Sequence, residues 1–140
     1  MSAKKMIPNR PVSEVMSKNV LTISEDDSIG TALRIFEEKD YNSLPVVREG
    51  TLVGMIAKLD LLKAISHADT KLHPGPLDLE NETVKDFMRS ASVSIKPDDD
   101  LRSAAAYMVE FRLRALPVVK AGRVVGILSE GDIMDNLVSE

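Results

Sequence analysis

The sequence predicts a mixed α/β (α+β) protein built from two pseudo-symmetric β-α-β-β-α repeats packed sheet to sheet, and three observations predict it. First, the chain repeats itself at a fixed offset. Laying residues 12–65 on 84–137 gives 15 identities, including Leu44-Pro45-Val46-Val47 on Leu116-Pro117-Val118-Val119, where unrelated sequences would share about 3 or 4. Second, each copy alternates β-rich runs with stretches whose apolar residues fall at helical spacing. Third, 140 residues that are 44% hydrophobic and 29% charged are ordinary folded-domain stock, long enough to bury a core.

Each copy opens with an apolar patch, residues 12–16 or 84–88, that predicts one or two helical turns, followed by a short strand over 20–23 or 92–95. A helix comes next. Its apolar residues Ile29, Ala32, Leu33 and Phe36, mirrored by Leu101, Ala104, Ala105 and Met108, form one stripe at i, i+3, i+4 and i+7. Ser28 and Asp100 are expected N-caps. The acidic runs 25–27 and 98–100 are read as charge placed favourably at helix starts rather than as metal ligands.

Two β-rich runs, 44–47 and 52–56, joined through Arg48-Glu49-Gly50-Thr51, predict a hairpin, with Lys120-Ala121-Gly122-Arg123 at the second turn. A closing helix is expected over 58–65 and again over 130–138. The domain reading is an N-terminal tail at 1–10, repeat one at 11–66, a connector at 67–82 around Pro74-Gly75-Pro76, and repeat two at 83–140. One repeat is too small to cover both faces of its own strands, so two are expected to pack together, and any cleft between them should occur twice.

Composition excludes several function classes. The chain has no cysteine, hence no disulfide, no cysteine-ligated zinc and no thiol nucleophile. No apolar run reaches the ~18 residues of a membrane span, and the start lacks a signal-peptide core. A cytoplasmic location without a membrane partner is expected. The net charge of −4 with scattered basic residues argues against a nucleic-acid partner. The two histidines, His67 and His73, sit in the connector and are too few for a zinc site. With no glycine-rich phosphate loop and no activated nucleophile, the protein is not expected to be an enzyme.

The sharpest chemical feature is the passage from the last strand into the last helix, with Gly126, Ser129 and Asp132. Ser-x-x-Asp is close to a capping box, in which the serine accepts from a backbone N–H and the acid reaches back. In copy one, Ala57 replaces the serine while Gly54 and Asp60 remain. That pattern suits half of a nucleotide pocket, in which free backbone N–H groups meet phosphate and a carboxylate accepts the ribose hydroxyls. Both readings stand at this point.

With Val-x-x-x-Met, Leu-Pro-Val-Val followed by a glycine turn, and Val-Gly-x-Ile/Leu-x-x-x-Asp each present twice in one register, the chain resembles a tandem pair of cystathionine-β-synthase-type (CBS) domains, a Bateman module, over about residues 10–138. The resemblance implies a regulatory sensor, assembled as a homodimer, that binds an adenosine-containing ligand (AMP, ADP, ATP or S-adenosylmethionine) in the cleft between repeats and acts on an unknown target protein. It implies no obligatory cofactor. Carried onto this sequence, it implies one site with Gly126, Ser129 and Asp132 together with Leu21, Thr22, Asn42 and Ser43. A second would use Gly54 and Asp60 with Val93, Ser94, Arg114 and Ala115, where Ala57 departs from the expected serine or threonine. The rival reading is a dimerisation or docking module that binds no nucleotide and presents the helical faces around 29–36 and 101–111.

Overall fold

The computed structural model describes residues 4–70, 78–91 and 93–140, the side chains of 67–70 excepted. His73, the side chain of His67 and Pro74-Gly75-Pro76, all in the expected connector, lie outside the described residues. In chain order come β1 (Lys5–Met6), a 3-10 turn (Val12–Glu14), β2 (Ile23–Ser24), α1 (Ile29–Glu38), β3 (Ser43–Arg48), β4 (Thr51–Ala57) and α2 (Lys58–Thr70). A second 3-10 turn (Val84–Asp86) is followed by β5 (Arg89–Ser90), α3 (Leu101–Phe111), β6 (Ala115–Lys120), β7 (Arg123–Ser129), α4 (Glu130–Met134) and β8 (Val138–Ser139). The class is mixed α+β, as the sequence predicts.

The compact units do not share the boundaries of the sequence repeats. Leu21–Ser92 form a central unit, and Met1–Val20 join Val93–Glu140 in a terminal unit. The opening patch of each repeat is built into the core of the unit that holds the body of the other. Val12 is buried among Ile95, Leu101, Leu116, Val118 and Leu128. Val84 is buried among Ile23, Ile29, Leu44, Val46 and Ile56.

Matching backbone bonds fix both patches. Val12 N–H donates to the Asp99 carbonyl (2.8 Å) and Val84 N–H to the Asp27 carbonyl (2.9 Å). Beyond each patch the chain pairs antiparallel with the last strand of the hairpin: Ser17 with Ile127 in the terminal unit, Arg89 with Met55 in the central unit.

The hairpins follow from their turns. Glu49 and Gly50 adopt φ of 51° and 83°, and Ala121 and Gly122 adopt 52° and 80°, so both central residues of each two-residue turn are left-handed, as a twist-matched hairpin requires. Ile23 pairs parallel with Val46, and Ile95 bridges Val118 in the same sense. Ser28 and Asp100 cap α1 and α3 through the Thr31 and Arg102 amides. Ile29, Ala32 and Phe36 of α1, and Leu101, Ala104 and Met108 of α3, are buried. The apolar stripes of both helices are therefore core, and the large apolar side chains that α3 exposes are Tyr107, Val109 and Phe111.

Two helix ends differ from expectation. α2 continues to Thr70. α4 stops at Met134, where the Asp135 N–H returns to the Gly131 carbonyl and the Asn136 side chain donates to the Asp132 carbonyl. The chain is then free for Val138 and Ser139 to pair with Met6 and Lys5. A partner more than a hundred residues distant leaves no trace in local periodicity.

Candidate functional site

Ser129 and Asp132 form a complete capping box at the start of α4. Asp132 Oδ2 accepts from the Ser129 amide at 2.9 Å, and Ser129 Oγ accepts from the Asp132 amide at 3.1 Å. In the central unit half of this box survives without the hydroxyl, because Asp60 Oδ2 accepts from the Ala57 amide at 2.7 Å. The capping reading thus accounts for the acid in both copies. It does not exhaust either carboxylate, since each capping bond falls on one oxygen and an ionised carboxylate offers about four lone-pair sites.

The two acids differ in surroundings. Asp60 is buried, at 6% exposure, and Arg89 Nε stands 3.6 Å from its Oδ2. Asp132 is half-buried, and the residue one repeat length from Arg89 is Ser17. The sequence reading passed over Arg89. Its signal was its place directly after Met88 of the opening motif.

Gly54 and Gly126 are both buried, and the protein's own chain occupies the space beside them. A Cβ on Gly54 would lie 2.7 Å from Met88 Sδ and from the Arg89 carbonyl oxygen. A Cβ on Gly126 would meet Met16 Sδ and lie 3.0 Å from the Ser17 carbonyl oxygen.

The other expected residues cluster by unit. In the central unit, Ser43 is in register with Ala57, and the Asn42 carbonyl accepts from the Lys58 amide at 3.1 Å, which sets both at the mouth of α2. Leu21 is exposed and Thr22 half-buried, just before β2. In the terminal unit, Ala115 is in register with Ser129, and the Arg114 carbonyl accepts from the Glu130 amide at 2.8 Å. Val93 packs against the core, and Ser94 is exposed. Each set implied by the resemblance draws residues from both units. Asp60 also lines a cavity of about 700 Å³ with Leu59, Lys63, Asp86 and Phe87. Arg114 lines one of about 800 Å³ with Met108, Val109, Met134 and Leu137.

Of the acidic runs, only Asp100 is a cap. Asp27 and Asp99 accept from the Ser24 and Lys96 amides and close the turns before α1 and α3. Glu25 is buried and takes two bonds from Arg48, at 2.6 and 3.0 Å. Chiefly through those bonds, the guanidinium holds the Glu25 carboxyl below the usual glutamate range, against the opposing effect of its burial.

A family model described as CBS domain matches residues 12–67 and again 84–139. The uncharacterised protein MJ1225 of Methanocaldococcus jannaschii is 32% identical over 94% of this chain. The chain spans 44% of that relative's length and 32% of a second protein from the same organism. Among solved structures, the CBS domain pair of protein MJ0100, in complex with 5′-methylthioadenosine and S-adenosyl-L-methionine, superposes with a TM-score of 0.78 at 28% identity, covering 91% of this chain and 95% of the other. CBSX2 in complex with AMP gives a TM-score of 0.74 at 27% identity, covering 89% and 93%.

Proposed function

This chain belongs to the CBS domain family, and on that premise we propose that it is a regulatory module, not a catalyst, that senses an adenosine-containing ligand: AMP, ADP, ATP or S-adenosylmethionine. The observation that carries the reading is the duplicated acid at a helix mouth, Asp60 and Asp132, each held by the first amide of its turn, in a fold of which two solved relatives were captured with adenosine compounds. Fixed in this way, a carboxylate is pre-organised to accept the two hydroxyls of a ribose.

The proposed contacts are those the resemblance implies: Gly126, Ser129 and Asp132 with Leu21, Thr22, Asn42 and Ser43, and Gly54 and Asp60 with Val93, Ser94, Arg114 and Ala115. The glycines contribute by admitting Met88 and Met16, which sets the strand that leads into each acid. Homodimerisation, a cytoplasmic setting and an unidentified target protein belong to the same proposal. Exposed apolar side chains on each unit, Leu59 and Leu62 on the central one and Val109 and Met134 on the terminal one, support self-association.

A thermal-shift screen of the full chain tests this. A true ligand at a hundredfold excess over its dissociation constant adds about 2.7 kcal/mol of stability, and the Asp60→Ala, Asp132→Ala double variant should lose most of that response. If every adenosine compound leaves the melting temperature unchanged up to millimolar concentration, the sensor reading fails.

A further inference from the structure

The two acids are equivalent by repeat but not by company, and the difference is one of charge. In the central unit Asp60 lies beside the Arg89 guanidinium, with Lys58 opening its helix; at the matching positions of the terminal unit stand Ser17 and Glu130. The Nε–Oδ2 separation of 3.6 Å is an ion pair beyond hydrogen-bond length. The Arg89 side chain is 57% exposed, and its planar fork suits bidentate recognition of a phosphate.

In the terminal unit Arg112 and Arg114 line one cavity with Glu130, so what sets the Asp60 site apart is the guanidinium at the carboxylate itself. Asp86, which also lines the Asp60 cavity, accepts the Thr83 hydroxyl, and its counterpart Glu14 is acidic too, so it does not distinguish the halves.

We infer that Arg89 is a specificity-determining residue: it makes the Asp60 site selective for phosphorylated adenosine compounds. This rests on the sensor reading above and assigns a ligand class to one of its sites. An incoming phosphate gains the guanidinium as a charge-assisted partner beside Asp60. In the terminal unit the position of Arg89 is held by Ser17, which offers no charge at that place.

Calorimetric titration of the full chain with AMP and, separately, with 5′-methylthioadenosine tests the inference. Arg89→Ser, which copies the other half, should weaken AMP about tenfold or more and leave the 5′-methylthioadenosine affinity within about twofold. The reverse change, Ser17→Arg, should strengthen AMP binding. An unchanged AMP affinity in Arg89→Ser, or equal loss of both ligands, overturns the inference while sparing the sensor reading. Binding of neither compound by the unaltered protein sinks the sensor reading itself and this inference with it. The melting profile of each variant, recorded alongside, separates lost affinity from lost folding.

Discussion

Met88 lies directly against the bare backbone of Gly54, so that a single added methyl would stand 2.7 Å from its sulfur and from the neighbouring Arg89 carbonyl. The sulfur ends a flexible side chain and can swing away. The carbonyl belongs to a paired strand and cannot move cheaply. Gly54→Ala should therefore cost about 1–3 kcal/mol, read as a lower denaturant midpoint at constant slope. Met88→Ala should not rescue it. Gly126→Ala should cost less, because the backbone oxygen there is 3.0 Å away and the closest obstacle is the Met16 thioether.

The incomplete capping box offers a gain. Ser129→Ala should lose about 1 kcal/mol, because the Asp132 amide loses its acceptor. Ala57→Ser should add roughly 0.5–1 kcal/mol by restoring the missing half, the acid being already in place at Asp60. Chemical denaturation of the two variants beside the parent reads both.

Glu25 and Arg48 make stability sensitive to acid. Because the folded carboxyl titrates below its unfolded value, the pair's stabilisation is fully present above the unfolded glutamate range and is lost as pH falls through the lowered folded value. Glu25→Gln should be less stable than the parent at neutral pH, and the gap should narrow at low pH. Urea midpoints at pH 7 and pH 3 provide the comparison. A gap that widens in acid would contradict the assignment.

The second hairpin turn carries an alanine at φ 52°, a region that costs a residue with a Cβ of order 1 kcal/mol. Asn-Gly is the favoured pair for such a turn. Ala121→Asn should raise the melting temperature by a few degrees without touching any core residue, as scanning fluorimetry would show.

What could be read from the sequence was what repeats or depends on local chemistry. Val46 and Val118 announced buried strands, Ser28 and Asp100 the helix starts, and Gly50 and Gly122 the turns, because each is dictated by neighbours a few residues away. The exchange of opening segments was not legible: Val12 and Val84 look like the start of their own repeats, and only the fold shows which core they enter. The β1–β8 pairing escaped for the same reason. At the site, both acids were visible as Asp60 and Asp132, but Ala57 hid the surviving half of the capping box, because its amide needs an acceptor whether or not a hydroxyl stands beside it. Arg89 was overlooked because its meaning depends on Asp60, which precedes it by 29 residues and meets it only through the sheet.

The most direct test of adenosine recognition is equilibrium dialysis of AMP against the full chain, the Asp60→Asn and Asp132→Asn single variants, and their double variant. Asparagine keeps an acceptor oxygen for the capping amide, so each variant should retain its cooperative unfolding. The account predicts saturable binding that falls in the single variants and disappears in the double one. Binding that survives in a folded double variant would contradict it.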